Sequence, residues 1–256
     1  MKHYKAYLLD LDGTLYRGKE VIPEAASFVH KLKEREIPHL FVTNNSTASP
    51  EEVASRLQRM GVPSESGQIL TSSIAAAAYL KTKPVDQTAY IIGEKGLHQA
   101  LRDNGITEDH HSPGFVVIGL DRRISYEKLA AACVAVRKGA VFISTNADTA
   151  LPTEKGLVPG NGAMTAVITT STGVAPQFIG KPEKIMMEQA LTRLGTKAEE
   201  TAMIGDNYDT DILAGIRAGI DTIHVNTGVT STDVVLAKPV HPTYLLSSMN
   251  EWVLSS

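Results

Sequence analysis

Short runs of consecutive apolar residues alternate along the chain with longer segments whose apolar residues recur at helical spacing. The first run, KAYLL, is followed by an acidic segment beginning at Asp10. The next segment, PEAASFVHKLKERE, has Pro23 at its first turn, which favours the start of a helix. The run HLFVT then returns as a second buried strand. Alternation of this kind predicts parallel strands joined by helices.

The alternation restarts near residue 80 and again near residue 179. Between these points TAYIIG, GFVVIGL and AVFIST indicate strands, and KGLHQALRDNG and SYEKLAAACVAVRKG indicate helices. Residues 145–162, rich in glycine and proline, indicate a loop, and the tail from residue 227 receives no assignment. We therefore expect an α/β protein with a Rossmann-like, doubly wound parallel-sheet core, residues 1–79 and 179–256, and an inserted α/β domain, residues 80–178.

The composition argues against several classes of protein. The 25 basic residues are scattered and outnumbered by 28 acidic ones, so we expect no nucleic-acid partner. No apolar stretch approaches the roughly 20 residues of a membrane span, and Asp10 comes too early for the apolar region of a signal peptide. We therefore expect no membrane partner and a cytoplasmic location. The single Cys133 excludes an internal disulfide, which fits a reducing compartment.

Polar residues follow several predicted strands at the point where each strand ends. Asp10 follows the first strand, Thr43 the second, Lys181 the strand-like PQFIG, and Asp206 the run TAMIG. Ligands of open parallel sheets collect beyond the carboxyl ends of the strands, so these side chains could converge. Their chemistry is complementary, because carboxylates hold a hard cation, a lysine offsets phosphate charge and a carboxylate can attack phosphorus.

The two acids of the DLDGT segment can take different roles. Asp10 can attack phosphorus, while Asp12 can protonate the leaving oxygen and later deprotonate a water molecule. Magnesium binds few protein carboxylates, so Asp10 and Asp206 suffice as side-chain ligands, and we expect Asp211 to contact the ligands and not the ion. A structural alternative stays open for each residue, because Asp, Gly, Thr and Asn are common where strands turn.

Four motifs in this order resemble the haloacid dehalogenase-like superfamily, and its phosphatase branch in particular. The motifs are DLDGT, VTNNS, IGKP and GDNYDTD, each at the end of a predicted strand. The long insert between the second and third motifs and the segment TNADTALPTEKGLVPGNGA further resemble the NagD-type subgroup. Proteins of that subgroup carry a large α/β cap domain, which is what the resemblance implies for residues 80–178.

The resemblance implies a magnesium-dependent phosphatase that acts on a small phosphomonoester, such as a sugar phosphate or a nucleotide, through an aspartyl-phosphate intermediate. It implies in-line attack by Asp10 and coordination of Mg²⁺ by Asp10, Asp206 and the backbone carbonyl of Asp12. Phosphate would be anchored by Thr43, Asn44 and Lys181.

The cap of such proteins closes over the active site and helps to select the substrate. This implies Asn146 and Asp148 as candidate substrate contacts, although an Asp-rich turn at a strand end explains the same residues. We also expect Asn207, next to Asp206, to contact the substrate. A homodimer formed through the cap is a further option that the resemblance implies.

A receiver domain switched by phosphorylation is the alternative from a different class, because it also places acids, Thr and Lys at the ends of parallel strands. Asp12, the insert and the GDNYDTD segment favour turnover, since an acid/base beside the nucleophile would speed hydrolysis of an aspartyl phosphate. Stable phosphate on Asp10 with no released product would support the switch.

Overall fold

The computed structural model describes residues 2–254, in which strands and helices alternate. In chain order the strands are β1 (Ala6–Leu9), β2 (Tyr16–Arg17), β3 (Glu20–Val21), β4 (His39–Thr43), β5 (Ile69–Thr71), β6 (Thr88–Ile92), β7 (Thr107–Glu108), β8 (Phe115–Ile118), β9 (Val141–Ser144), β10 (Ala150–Thr153), β11 (Gly156–Pro159), β12 (Gln177–Phe178), β13 (Thr201–Gly205), β14 (Asp221–Val225) and β15 (Tyr244–Leu246). The α-helices are α1 (Pro23–Glu34), α2 (Pro50–Arg59), α3 (Ser72–Leu80), α4 (Lys95–Asp103), α5 (Tyr126–Arg137), α6 (Asn161–Thr172), α7 (Lys184–Leu194), α8 (Leu213–Ala218) and α9 (Thr232–Leu236). None of these helices combines the length and the apolar character that a membrane crossing needs.

The first sheet has the strand order β15-β14-β13-β1-β4-β5. Strand β1 pairs in parallel with β13 on one side and with β4 on the other, so the strand order reverses around β1. All four residues of β1 are buried, as expected of a parallel strand covered on both faces. A reversal of this kind is the doubly wound arrangement, and it places the ligand crevice beyond the carboxyl ends of the strands.

The second sheet has the order β12-β9-β8-β6-β7, and its paired strands are also parallel. Tyr90, Val116 and Phe142 of its strands pack in one apolar cluster with Ala132 of α5 and Ile168 of α6. The prediction of an α/β fold with parallel sheets and intervening helices is therefore confirmed.

The chain separates into two compact units. One contains the residues up to Thr43, Pro50–Leu70 and the residues from Lys181 onward, and the other contains Asn44–Ser49 and Thr71–Gly180. The sequence pattern predicts the division near residues 80 and 178. The structure instead groups α3 with the inserted unit. Helix α3 gives no amphipathic signal, because most of its residues are small and buried.

One prediction about local structure was wrong. Residues 145–162, expected as a loop, contain the antiparallel hairpin β10–β11 and the start of α6. The hairpin is two-stranded and mostly exposed, so its residues do not alternate between buried and exposed positions, and prolines are tolerated in such edge strands. The unassigned tail forms α9, β15 and a 3₁₀ turn, Met249–Glu251.

Candidate active site

The strands of the first sheet bring their polar ends to the same edge. Leu9 of β1 lies opposite Ile204 of β13 and Phe41 of β4. The residue after Leu9, Asp10, donates its backbone N–H to the Ile204 carbonyl at 2.9 Å. Because the three strands are parallel and in register, Asp10, Thr43 and Asp206 all follow at their carboxyl ends. Seven of the predicted site residues belong to this unit, namely Asp10, Asp12, Thr43, Lys181, Asp206, Asn207 and Asp211.

Three carboxylates meet at this edge, and we call them together with Lys181 the carboxylate cluster. Asp10, Asp206 and Asp211 each bring one oxygen within 4.8 Å of the others. The Lys181 Nζ donates to Asp10 Oδ1 at 2.5 Å, to Asp211 Oδ1 at 2.6 Å and to the Val42 carbonyl at 3.1 Å. All four side chains are buried. The tight lysine contacts fix the two acids on either side of one ammonium group.

Asp206 is held by neighbours that come close on several sides. Thr14 Oγ1 donates to its Oδ1 at 2.9 Å, and the Val229 N–H donates to its Oδ2 at 2.7 Å. A Cβ added to Gly13 would lie 2.5 Å from Asp206 Cγ, and Gly13 also has a φ of +90°. Both facts require glycine after the two acids of the DLDGT motif. The orientation of the Asp206 carboxylate is therefore set by the backbone around it.

The cluster carries more negative than positive charge. Burial, and next the Asp211 carboxylate, raise the pKa of Asp10 well above its usual range, although Lys181 acts against this. The same two causes raise the pKa of Asp206 to about 6. Burial alone would lower the pKa of Lys181, but the carboxylates of Asp10 and Asp211 outweigh it and raise that pKa. One ammonium thus leaves the repulsion among three acids only partly offset.

This arrangement fits a divalent cation. Hard cations such as Mg²⁺ prefer carboxylate oxygens, and a positive ion among three buried acids would relieve the repulsion that helps to raise the pKa values of Asp10 and Asp206. Asp10 and Asp206 lie in the group as the sequence analysis expected. Asp211 was expected to contact the ligands and not the ion. One of its oxygens lies within 4.8 Å of the oxygens of Asp10 and Asp206, so the geometry adds Asp211 to the candidate ligands.

Asp12 lies outside the group of three carboxylates. Loss of hydration raises the pKa of Asp12 above its usual range, and the Arg56 guanidinium opposes the shift. Arg56 lies over the Tyr16 ring, 4.5 Å from its centre, and bonds the Tyr16 hydroxyl. A carboxyl that keeps its proton more readily than usual is suited to act as a general acid.

Asn207 begins the π-helical turn Tyr208–Ile212. Its side-chain oxygen accepts the Asp209 N–H at 3.0 Å and caps the turn, while its own N–H donates to Asp211 Oδ2 at 3.1 Å. Asn207 therefore orients Asp211 from the backbone. Its predicted substrate contact stays a prediction.

Three of the predicted substrate residues belong to the inserted unit and contact one another. The Asn44 Nδ2 donates to both carboxylate oxygens of Asp148, at 3.1 and 3.3 Å, and the Asn146 Nδ2 donates to the Asn44 carbonyl at 2.9 Å. Asn161 supports them, since its Nδ2 donates to the Asn146 carbonyl at 2.8 Å. We call Asn44, Asn146, Asp148 and Asn161 the amide cluster.

Several of these supporting residues had no clear signal in the sequence. Thr14 lies in the DLDGT motif, so the motif pointed to its neighbourhood but not to its contact with Asp206. Asn161 lies in the segment that resembles the NagD type, yet no pattern indicated its bond to Asn146. Val229 acts through its backbone, which residue types do not reveal.

Comparison with known families gives one match in the first half of the chain and one near its carboxyl end. Residues 7–107 match the family described as haloacid dehalogenase-like hydrolase, and residues 178–252 match the one described as HAD-hydrolase-like. The chain is 52% identical over 253 residues to 5′-nucleotidase YutF of Bacillus subtilis (strain 168), covering 99% of each chain. It is 50% identical over 252 residues to an acid sugar phosphatase of Staphylococcus saprophyticus, covering 98% of this chain and 97% of the relative.

Solved structures give the same result. A double mutant of the thermostable NPPase from Geobacillus stearothermophilus has a TM-score of 0.93 and 52% identity, with 100% of each chain covered. NagD from E. coli K-12 has a TM-score of 0.93 and 33% identity, with 99% of this chain and 100% of NagD covered. The resemblance drawn from the four motifs is confirmed by this similarity along nearly the full chain.

Proposed function

The chain belongs to the haloacid dehalogenase-like hydrolases and is a phosphatase of the NagD type, and on that premise we propose that Asp10 removes phosphate from small phosphomonoesters through an aspartyl-phosphate intermediate. The observation that carries this proposal is the carboxylate cluster. The Oδ1 of Asp10 lies 2.5 Å from the Nζ of Lys181, and one Asp10 oxygen lies within 4.8 Å of an oxygen of Asp206 and of Asp211. Such a cluster combines a nucleophile, a positive charge for phosphate and candidate metal ligands.

In the first step Asp10 attacks the phosphorus. A bond forms between a carboxylate oxygen and phosphorus, the bond to the ester oxygen breaks, and Asp12 gives its proton to that leaving oxygen. In the second step Asp12, now ionised, takes a proton from a water molecule whose oxygen attacks the phosphorus. The bond between Asp10 and phosphorus breaks, inorganic phosphate leaves, and both acids return to their starting states.

Lys181 has two tasks in this scheme. It offsets charge on the phosphate, and it holds Asp10 and Asp211 in place through the two short contacts of its ammonium. Thr43 and Asn44 complete the proposed phosphate anchors, through the threonine hydroxyl and the backbone N–H of Asn44.

We propose magnesium as the cation of the cluster. Asp10, Asp206 and the backbone carbonyl of Asp12 would hold it, and Asp211 is a further candidate because its oxygen lies in the same group. Magnesium, when bound, supplies positive charge beside the phosphate oxygens and offsets the excess of negative charge among the acids.

The names of the relatives suggest two classes of substrate. One relative is a 5′-nucleotidase and another an acid sugar phosphatase, so we propose nucleoside monophosphates and acid sugar phosphates as the compounds to test. Asn207 stays a proposed substrate contact of the first unit, in addition to Thr43 and Lys181. The side chains of Asn146 and Asp148 already bind Asn44.

The test is release of inorganic phosphate from a panel of these esters, with magnesium and with a chelator. Wild type is compared with Asp10→Asn and with Asp103→Asn, the same chemical change at an exposed position of α4. We expect magnesium-dependent release that Asp10→Asn loses and Asp103→Asn keeps. Turnover by Asp10→Asn at the wild-type rate would refute the mechanism, and stable phosphate on Asp10 without product would indicate a switch.

Three further predictions stand beside the proposal. A cytoplasmic location, the absence of nucleic-acid and membrane partners, and a homodimer formed through the inserted domain stay predictions. Cell fractionation and light scattering of the purified protein test the location and the dimer.

A further inference from the structure

Asn44 is held through both its side chain and its carbonyl group. Its Nδ2 donates to the two oxygens of Asp148, at 3.1 and 3.3 Å. Its carbonyl oxygen accepts two hydrogen bonds, from Asn146 Nδ2 at 2.9 Å and from Ser72 Oγ at 2.7 Å. A carbonyl has two lone pairs, so both are used. Residues from α3 and from the segment after β9 therefore fix one asparagine from different directions.

The residues that hold Asn44 are themselves fixed. The Asp148 N–H donates to Asn146 Oδ1 at 3.1 Å, so the two side chains are joined. Asn161 Nδ2 and Ser144 Oγ both donate to the Asn146 carbonyl, at 2.8 and 3.1 Å. Asn146 is 4% exposed and Asn161 is 1% exposed. Buried hydrogen-bonded networks of this kind resist rearrangement, because any broken bond leaves a polar group unsatisfied.

Glycines let the surrounding backbone come close to this network. A Cβ at Gly180 would lie 2.5 Å from Asn44 Oδ1 and 2.7 Å from the Thr145 carbonyl. A Cβ at Gly162 would meet the Ala147 carbonyl, and the Gly162 N–H donates to the Asp148 carbonyl at 2.8 Å. The glycines of PGNGA and IGKP are thus needed for the same physical reason. A larger residue at these positions would collide with Asn44 or with the turn that carries Asn146 and Asp148.

The polar atoms of Asn146 are already in use inside the protein. Its Nδ2 binds the Asn44 carbonyl, and its Oδ1 accepts the Asp148 N–H. Both oxygens of Asp148 accept from Asn44. A rotation of the Asn146 side chain toward a substrate would break both of its bonds, and each broken bond costs free energy.

We infer that Asn146 and Asp148 are positioning residues, which fix Asn44 so that its backbone N–H points toward the phosphate, and not contacts of the organic part of the substrate. The inference rests on the proposed function. Asn44 directly follows Thr43, the last residue of β4, so its N–H belongs to the peptide that leaves the strand. Fixing the carbonyl and the side chain of Asn44 fixes the direction of that N–H as well.

Positioning residues and residues that contact the organic part of a substrate should affect the kinetics differently. Phosphate is common to every substrate, so loss of a positioning residue should weaken the binding of all substrates by the same factor. Loss of a contact to the organic part should change the ranking of substrates, because only some of them present the group that it binds. Inorganic phosphate, which has no organic part, separates the two roles.

The experiment measures KM and kcat for one nucleoside monophosphate and one sugar phosphate, and the inhibition constant of inorganic phosphate, in magnesium. The variants are Asn146→Ala and Asp148→Ala. Asn104→Ala is the matched control, since Asn104 also donates one hydrogen bond to a backbone carbonyl, that of Ala100, within the same unit.

We expect both KM values and the phosphate inhibition constant to rise together, by roughly three- to tenfold, the scale of one lost neutral hydrogen bond. The ratio of kcat/KM between the two substrates should stay at the wild-type value, and Asn104→Ala should match wild type throughout. An unchanged phosphate inhibition constant in folded Asn146→Ala, or a changed substrate ratio, would overturn the inference while the phosphatase remained. Absence of phosphate release by wild type would instead overturn the proposed function, and the inference with it.

Asn146→Ala could lose its fold, since Asn146 is buried. Ser72→Ala then decides the matter, because it removes the other hydrogen bond to the Asn44 carbonyl from a different element, α3. A uniform rise of all three constants in Ser72→Ala supports the inference. Wild-type constants in a folded Ser72→Ala overturn it.

Discussion

The carboxylate cluster and the amide cluster are both polar groups beside parallel sheets, but the first is buried throughout, Asn44 and Asp148 of the second are half-buried, and their charges differ. The first sets three acids against one lysine, and its pKa shifts show that the acids repel one another. The second contains one carboxylate among amides and hydroxyls, joined by hydrogen bonds. Three acids around one ammonium are costly to bury, whereas the single Asp148 carboxylate is only half-buried and both of its oxygens accept a hydrogen bond from Asn44.

The difference matches the two roles proposed above, a reacting role for the carboxylate cluster and a positioning role for the amide cluster. A cation bound among the three acids would compensate their excess negative charge and would also offset the charge of an incoming phosphate group, as the proposed function requires. The amide cluster carries a single carboxylate and its side chains bond mainly to one another, although the buried Oδ1 of Asn161 has no hydrogen-bond partner among the described residues. Variants of the carboxylate cluster should therefore lower activity more than stability. Variants of the amide cluster should lower stability more than activity.

The largest effect on activity is expected from Asp10→Asn. It should lower kcat by roughly a thousandfold or more, because a carboxamide is a poor nucleophile. It should not lower the melting temperature in chelator, since it removes one of three repelling acids and leaves Lys181 paired with Asp211. Phosphate release and thermal unfolding check both parts. A large drop in melting temperature would show that the charge of Asp10 stabilises the fold.

The next effect is expected from Asp206→Asn. Replacing one charged ligand should raise the magnesium concentration for half-maximal activity by roughly 10- to 100-fold. Titration of activity with magnesium measures it, and Asp221→Asn, which changes an acid paired with Lys2, is the control. The wild-type magnesium requirement in Asp206→Asn would remove this residue from the ligand set.

Asn161→Ala should lower stability more than activity, the reverse of what is expected for Asp10→Asn. It removes the hydrogen bond to the Asn146 carbonyl and others to Ser144 Oγ and Thr145 Oγ1, so the free energy of unfolding should fall by about 1–3 kcal/mol. Activity should fall by less than about tenfold, through KM, because Ser144 still supports Asn146. Urea unfolding and steady-state kinetics measure the two quantities.

The control for Asn161→Ala lies in the same helix. Thr169→Ala removes one hydrogen bond, from its hydroxyl to the Thr165 carbonyl, without touching Asn146. It should cost less stability and leave KM unchanged. Equal KM values in wild type and a destabilised Asn161→Ala would break the link between the amide cluster and phosphate binding.

The smallest effect is expected from a buried polar residue that belongs to neither cluster. His39 starts β4, and its Nδ1 donates to the Ile37 carbonyl at 2.9 Å. Burial lowers the pKa of His39, with the Ile37 carbonyl acting against the shift. The unfolded chain therefore binds a proton more readily than the folded protein, and this stability is lost as the pH falls below the unfolded value of about 6.5.

His39→Gln removes that proton uptake. Between about pH 7 and pH 5 its free energy of unfolding should fall less than that of wild type, by at most about 1.4 kcal/mol per pH unit. Activity at neutral pH should match wild type. Urea unfolding at the two pH values is the measurement, and identical losses in both proteins would exclude His39 from the acid sensitivity.

Much of the carboxylate cluster was predictable because its signals are local. Asp10, Asp206 and Lys181 each stand directly after an apolar run, and parallel strands bring such positions to one edge whatever the details of the loops. The place of Asp211 was less predictable. It depends on the π-helical turn Tyr208–Ile212, whose geometry brings the carboxylate back to Lys181, and no residue pattern announces such a turn.

The amide cluster shows where local patterns end. The bond between Asn44 and Asp148 joins residues 104 positions apart, and Ser72 reaches the same asparagine from a helix that the periodicity did not reveal. The sequence by itself determined the alternation of strands and helices, the family and the candidate acids that follow the strands, because each rests on neighbouring residues. Only the tertiary structure decided that Asn146 and Asp148 face Asn44, because hydrogen bonds between distant segments depend on the path of the whole chain.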